Sequence, residues 1–228
     1  MSNKNLYKGV NTICTHVGQV KDEQFGGSVS PIYPGTSYEY IDKDIDRYPR
    51  YSSTPNQEFL SKKIAALEGA EDAMIFGSGM AAISTSLLAF LNSGDHIILQ
   101  NDIYGGTRNL VEAQFNRYGI EYSFTKGLEV EHFEEKIKKN TKAIYIETPS
   151  NPLLKIVDIK KVADLSKDHG LISFIDNTFA TPLIQKPHSL GIDIILQSAT
   201  KYFGGHSDIC AGAIAATMTG KGMGGDMM

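Results

Sequence analysis

The chain has 228 residues, of which 41% are hydrophobic and 21% are charged, and its formal net charge is −4. This composition is typical of a globular domain and argues against a nucleic-acid partner, which would require a basic surface. The apolar runs are too short to span a membrane and the first residues lack the apolar stretch of a secretory signal, so we expect a cytoplasmic location. Cys14 and Cys210 are too few for a disulfide framework, and no second ligand pair completes a metal site with Cys14 and His16.

In chain order, the sequence predicts an arm, a domain and a tail. Residues 1–55 have little periodicity and contain four prolines, which predicts an extended N-terminal arm. Residues 56–216 alternate helical segments with short apolar runs, which predicts an α/β domain: a mostly parallel sheet with helices on both faces. Residues 217–228 are rich in glycine and methionine and form an atypical tail. The predicted helices cover residues 56–69, 80–94, 108–117, 131–139 and 159–169, and the predicted strands cover residues 72–76, 96–100, 120–124, 142–148, 171–176, 193–198 and 209–217.

Glycine-rich or polar segments follow five of the predicted strands. They are, in chain order, GSGMAAI, NDIYGGT, TPSNP, DNTFATP and SATKYFGG. Because parallel sheets bind ligands at the carboxyl ends of their strands, we expect these segments to meet at one edge. The first segment also fits the dinucleotide fingerprint G-x-G-x-x-G/A, which leaves a nicotinamide-dependent dehydrogenase as an alternative. That fingerprint normally follows the first strand of a βαβ unit, whereas here an arm and a helix precede it.

Lys201 is the most informative residue of the last segment. A lysine at the interior rim of a sheet is costly to bury as an ammonium, and burial would favour the neutral amine that reacts with an aldehyde. Asp176 ends the neighbouring predicted strand, and Ser198 and Thr200 place hydroxyl groups beside the lysine. An aldehyde cofactor with a phosphate and a ring nitrogen requires this set of groups.

Seven segments occur in a fixed order: YPR, LEG, SGMAAI, YGGT, ETPSNP, IDNTFATP and SATKYFGGHSD. In this order they resemble the Cys/Met-metabolism family of pyridoxal-phosphate enzymes, which includes cystathionine γ-synthase, the cystathionine lyases, methionine γ-lyase and homocysteine-forming sulfhydrylases. The resemblance spans about residues 10–216. It implies a fold-type I large domain, pyridoxal 5'-phosphate as cofactor, and elimination or replacement at the β or γ carbon of a cystathionine or O-acylhomoserine-type substrate.

The resemblance also implies roles for individual residues. Lys201 would form the Schiff base with the cofactor aldehyde and move the Cα proton of the substrate. Asp176 would pair with the ring nitrogen and keep it protonated. Tyr104 would stack on the ring and assist catalysis through its phenol, and Asn151 would contact the 3-oxygen of the ring.

The cofactor phosphate would have two sets of ligands by the same resemblance. In the chain's own site they are the backbone N–H groups of Gly79 and Met80 and the hydroxyls of Ser198 and Thr200. From a neighbouring subunit, the family's Y-x-R motif would add a second set, which here is Tyr48 and Arg50. Each site would then need two chains, so the resemblance implies a homodimer or homotetramer. The segment after Arg50, SSTPN, departs by one residue from the family's N-P-T, which makes the register beyond it less defined.

The resemblance leaves the reaction within the family open. Cystathionine γ-synthase and the cystathionine lyases are the favoured members, because Gly106 stands where methionine γ-lyases typically carry a cysteine. Family members also continue into a C-terminal small domain that carries the substrate-carboxylate arginine, so we expect that domain to be missing here. The alternative to an active enzyme is therefore a truncated, catalytically incompetent cofactor-domain fragment.

Overall fold

The computed structural model describes residues 9–44 and 47–217, so the predicted tail beyond Thr217 lies outside the described residues. The helices are α1 (Val10–His16), α2 (Pro55–Glu68), α3 (Gly79–Phe90), α4 (Gly105–Gln114), α5 (Val130–Glu134), α6 (Ile159–Asp168) and α7 (Thr181–Ile184). The strands are β1 (Asp72–Phe76), β2 (His96–Leu99), β3 (Glu121–Phe124), β4 (Thr141–Glu147), β5 (Ile172–Asp176), β6 (Ile194–Gln197) and β7 (Gly212–Ala216).

All seven strands belong to one sheet with the order β1-β7-β6-β5-β4-β2-β3. Strand β7 is antiparallel to its neighbours β1 and β6, and every other pair is parallel. The six strands other than β7 therefore point the same way, and their carboxyl ends meet at one edge. The prediction of a mostly parallel sheet is confirmed.

Helices cover both faces of the sheet, as predicted. Successive residues of a strand point to opposite faces, so each strand contributes to two cores. Ile98, Ile146 and Ile175 belong to the core that contains α2 and α6 residues. Ile97 and Phe174 belong to the core that contains α3 and α4 residues. Strands buried on both faces explain the nearly continuous apolar runs in the sequence.

Helix α2 begins and ends at sequence signals. Thr54 and Gln57 form a reciprocal capping box at its start, and Pro55 occupies the first helical position, where no intrahelical N–H bond is lost. Gly69 ends the helix in the left-handed region, with φ +76°, which costs glycine little. These signals fix where the chain leaves the arm and enters the sheet.

Three predicted boundaries or conformations were wrong. The arm is not extended throughout, since it includes α1, whose segment carries no clear apolar period. Helix α3 ends at Phe90 rather than residue 94, because the Asp95 carboxylate accepts the Asn92 N–H and closes a turn. The predicted helix 131–139 is reduced to α5, because the Thr141 hydroxyl accepts the Lys138 N–H and directs the chain into β4.

Residues 9–44 and 47–217 were searched for membrane-spanning helices and metal sites. No helix there is both long and apolar enough to cross a membrane. Within the same ranges, no group of three or more His, Cys, Asp or Glu side chains is arranged to hold a metal ion.

Candidate active site

A cavity of about 710 Å³ opens at the edge where the parallel strands end. Eight of the ten predicted site residues line it, and they come from the segments after β1, β2, β4, β5 and β6. Tyr48 and Arg50 do not line it. The lining residues are Ser78, Gly79, Met80, Ile83, Tyr104, Glu147, Asn151, Asp176, Thr178, Phe179, Ser198, Thr200, Lys201, Tyr202, Gly205 and Ser207.

The start of helix α3 forms one wall of the cavity. The Ser78 side chain accepts the Ala81 N–H at 3.0 Å and caps the helix. The N–H groups of Gly79 and Met80 are in the first turn, where a helix offers them no acceptor, so they are suited to bind an anion. Glycine is needed here, because a Cβ on Gly79 would lie 2.8 Å from both Cβ and Oγ of Ser198.

Lys201 lies in a tight turn directly after β6. Its N–H donates to the Ser198 carbonyl at 3.0 Å, and its carbonyl accepts the Gly205 N–H at 2.8 Å. Gly205 has φ +81°, a conformation that favours glycine. Lys201 is exposed and lines the cavity, so the prediction that it would be buried was wrong.

The two hydroxyls predicted to bind phosphate differ in their surroundings. Thr200 Oγ1 donates to the Ala211 carbonyl at 3.1 Å and accepts the Ala211 N–H at 3.0 Å. Both bonds are to the backbone of the residue that precedes β7. Ser198 instead faces the start of α3. Thr178, which sequence reasoning missed, accepts the Ser198 N–H at 2.7 Å and also lines the cavity. Its position in the segment IDNT was the available signal.

Asp176 ends β5 beneath the cavity and is only 7% exposed. Its carboxylate accepts the Thr178 N–H at 3.0 Å. Burial raises the pKa of Asp176 above its ordinary value, and the hydrogen bonds from Thr178 oppose that rise. A cation next to this carboxyl would compensate for the lost solvation.

Glu147 is a buried carboxyl that sequence reasoning missed. It ends β4, lies in register with Asp176 on β5, and is 5% exposed. One oxygen accepts the Tyr104 N–H at 2.6 Å and the other accepts the Asn151 N–H at 2.8 Å. Burial, with the neighbouring Asp176 charge adding to it, raises the pKa of Glu147 to about 7. An acidic residue at the end of the apolar run AIYIE was the signal that could have identified it.

Tyr104 is held at the mouth of the cavity just before α4. The residue is 44% exposed, and it lines the cavity. A Cβ on Gly106 would lie 2.5 Å from the Tyr104 ring and 3.0 Å from the Met80 sulfur. Gly106 therefore makes room for the tyrosine in this position.

A third buried acid, Glu68, lies outside the lining of the cavity. The Glu68 carboxylate accepts the Gln197 side-chain amide at 2.6 Å and, at 3.3 Å, that of Asn177. Burial raises the pKa of Glu68 to about 7. The network links the end of α2 to the ends of β5 and β6, and so supports the residues next to Asp176.

Tyr48 and Arg50 lie together outside the cavity. The Arg50 guanidinium is 4.5 Å from the centre of the Tyr48 ring, within the range of a cation–π contact. Arg50 is exposed. Their predicted contact with a neighbouring subunit's cofactor remains a prediction.

Comparison with known proteins identifies the family. The sequence profile of "Cys/Met metabolism PLP-dependent enzyme" matches residues 11–223. The chain belongs to this family. It is 44% identical over 205 residues to a cystathionine gamma-lyase of Bacillus subtilis (89% of this chain, 54% of the relative). It is 39% identical over 207 residues to a cystathionine gamma-synthase/O-acetylhomoserine (thiol)-lyase of the same organism (90% and 55%).

A solved structure agrees with the family assignment. The fold resembles that of metB from Corynebacterium glutamicum with a TM-score of 0.88 at 39% identity, over 92% of this chain and 55% of that one. The chain thus spans about half the length of the relatives it matches. Membership in a pyridoxal-phosphate-dependent family also decides against the nicotinamide-dependent dehydrogenase. The segment GSGMAA, which had suggested it, forms the turn after the edge strand β1 and the start of α3.

The cavity suits the family's cofactor by its charged groups and its volume. On one side, the start of α3 next to Ser198 offers N–H groups that suit an anion. On its acidic side, Asp176 and Glu147 are buried, and neither has an ion-pair partner within residues 9–44 and 47–217. A protonated ring nitrogen would supply the missing positive charge, and Lys201 offers the amine for an aldehyde. The volume is within the usual range of small-molecule sites.

Gly79 provides a test of the anion-binding wall. We expect Gly79→Ala to raise the dissociation constant for pyridoxal phosphate about tenfold or more, because the new Cβ forces Ser198 away from the helix start. Gly77→Ala is the matched control, since a Cβ there would have no neighbour within 4 Å. Fluorescence titration of both variants measures the effect. Equal affinities for the two variants would contradict the role of this close approach.

Proposed function

We propose that this chain is the cofactor-binding part of a pyridoxal-phosphate-dependent enzyme of sulfur amino-acid metabolism. The proposed reaction is elimination or replacement at the β or γ carbon of an amino-acid substrate of the cystathionine or O-acylhomoserine type. The observation that carries the proposal is the convergence of eight predicted site residues on one cavity. Lys201 lines this cavity together with two buried carboxyls and the start of helix α3.

The bound cofactor would supply an electron-withdrawing ring that accepts negative charge from the substrate's Cα. The chain's residues would divide the remaining tasks. Lys201 Nζ would hold the aldehyde end and, once free, remove the proton from Cα. The Asp176 carboxylate would keep a proton on the ring nitrogen. The first N–H groups of α3 and the Ser198 hydroxyl would bind the phosphate.

Tyr104 and Asn151 would orient the ring. Tyr104 is partly exposed and lines the same cavity as Lys201, so its ring would be able to stack on the cofactor ring. Asn151 would donate to the ring's 3-oxygen from the loop after β4. These roles are shared by elimination and replacement reactions, so they support the reaction class and not one member of it.

For the choice of reaction, we favour cystathionine γ-synthase or a cystathionine lyase. Gly106 supports this choice, because methionine γ-lyases typically carry a cysteine at the matching position. The names of the two relatives cover both kinds of reaction, one a lyase and the other a synthase or thiol-lyase.

We further propose that the working form contains at least two copies of this chain in the cytoplasm. The arm exposes large apolar side chains, which a second copy would cover, and Arg50 stands outside its own cavity. The exposed side chains are Phe25 (83%), Val29 (72%), Ile32 (85%), Tyr40 (72%), Ile41 (71%) and Tyr51 (74%).

The proposed cytoplasmic location is consistent with the free thiols of Cys14 and Cys210, which suit a reducing compartment.

Covalent trapping tests the proposed cofactor chemistry. We expect borohydride to link pyridoxal phosphate to Lys201 and to no other lysine at stoichiometric cofactor, as read by peptide mass spectrometry. Lys201→Ala should abolish the adduct, because no other described lysine lines the cavity. Lys139→Ala, an exposed lysine of the α5–β4 connection, should leave it unchanged. Labelling that persists in Lys201→Ala, or its absence in the unaltered chain, would refute the proposal. Turnover of cystathionine or an O-acylhomoserine by the same preparation would separate an active chain from a binding fragment.

Mixing two defective variants tests whether each site is shared. Arg50→Ala keeps Lys201 and Lys201→Ala keeps Arg50, so a hybrid dimer contains one intact site. At a cofactor concentration too low to label Arg50→Ala alone, co-expression of the two should restore trapping at about a quarter of the sites. Co-expression of Arg50→Ala with the double variant Lys201→Ala/Arg50→Ala is the control and should restore none. Equal labelling in both mixtures would show that Arg50 does not act across subunits.

A further inference from the structure

The Glu147 carboxylate accepts hydrogen bonds from two loops that are far apart in the sequence. One oxygen accepts the Tyr104 N–H at 2.6 Å, from the loop after β2. The other accepts the Asn151 N–H at 2.8 Å, from the loop after β4. Both N–H groups belong to residues with side chains at the cavity, so one carboxylate contacts the backbone of two proposed cofactor contacts.

Glu147 itself is fixed by the sheet. Its backbone lies at the last paired position of β4, opposite Asp176, and its N–H donates to the Gln100 side chain at 3.1 Å. Its side chain is 5% exposed. Tyr104 and Asn151, in contrast, lie in the loops after β2 and β4, outside the paired positions of the sheet. The rigid partner in these contacts is therefore the glutamate.

A separate bond keeps the same two loops together. The Ser150 hydroxyl donates to the Asp102 carboxylate at 2.6 Å, and Lys155 lies 3.8 Å from that carboxylate. Neither Asp102 nor Ser150 lines the cavity. Loss of the Glu147 bonds would thus leave the loops joined but release the two cavity residues.

We propose that Glu147 is a positioning residue, which places Tyr104 and Asn151 for the ligand by accepting one backbone N–H from each of their loops. The inference depends on the proposed function only for the identity of that ligand. Glu147 acts through the two loops and has no assigned contact with reacting atoms. Each of the two N–H groups bonds to a different oxygen of the carboxylate. A glutamine side chain at this position would have only one acceptor oxygen, so it could not replace both bonds.

Hydrogen exchange of the free chain tests the bonds without any cofactor. In the unaltered chain, NMR should show protected amides at Tyr104 and Asn151. Glu147→Gln keeps the shape of the side chain, but its NH₂ group would face one of the two backbone N–H groups. Glu147→Asp keeps the carboxylate, but its side chain is one methylene too short to reach both N–H groups. Each variant should lower protection of at least one of the two amides about tenfold, while amides within β4 and β5 keep theirs. Glu131→Gln, an exposed change at α5, is the control.

Cofactor affinity then links the bonds to the ligand. Glu147→Gln and Glu147→Asp should both raise the dissociation constant for pyridoxal phosphate about tenfold and change the circular dichroism of the bound cofactor. An effect of charge alone would be rescued by aspartate and not by glutamine, and that pattern would overturn the proposal. Unprotected Tyr104 and Asn151 amides in the unaltered chain would also overturn it, whether or not the variants fold. If the unaltered chain fails to bind the cofactor, the proposed function fails, and the exchange measurement still decides the role of Glu147.

Discussion

Two carboxyl groups, those of Glu147 and Asp176, lie in register at the ends of neighbouring parallel strands, beneath a cavity and almost without access to water. Burial disfavours the charged forms of both and raises the pKa of each, and the neighbouring Asp176 charge adds to the rise at Glu147. An arrangement of this kind is unfavourable unless cations or hydrogen-bond donors compensate for it. Glu147 accepts two backbone N–H groups, whereas Thr178 is the only donor to Asp176 in the described part of the chain. We therefore propose that the ligand of this cavity brings positive charge to Asp176.

The topology of the sheet explains why the complementary groups are close by. Because six strands point the same way, the segments after β1, β2, β4, β5 and β6 reach the same edge. Each contributes a different chemical group: helix N–H groups, a tyrosine ring, an amide, a carboxyl and an amine. The antiparallel strand β7 returns the chain after Lys201 and places β1 near β6, so that the start of α3 lies against Ser198. The start of α3 and the turn that carries Lys201 are therefore close together because β7 runs antiparallel between β1 and β6.

Much of this arrangement could be predicted from sequence, because each strand end carries its own local signal. Strand–glycine–helix patterns predicted the sheet and the meeting of five strand ends at one edge, and the resemblance indicated which residues lie there. The family assignment was confirmed. Glu147 was missed because its partners are backbone N–H groups, one of them 43 residues earlier, which no side-chain pattern records. The exposure of Lys201 and the shortening of the helix after Val130 were also unpredictable, since both depend on contacts formed only when the chain is folded. The role of Arg50 depends on a second chain and stays a prediction.

The central claim is that Asp176 compensates a positive charge on the ring nitrogen of bound pyridoxal phosphate. The most direct measurement is the ¹⁵N chemical shift of that nitrogen in a complex of this chain with ¹⁵N-labelled cofactor. We predict the shift of a protonated pyridine at neutral pH in the unaltered chain, and the shift of a neutral pyridine in Asp176→Asn. A neutral ring nitrogen in the unaltered complex, or the same shift in both, would contradict the account.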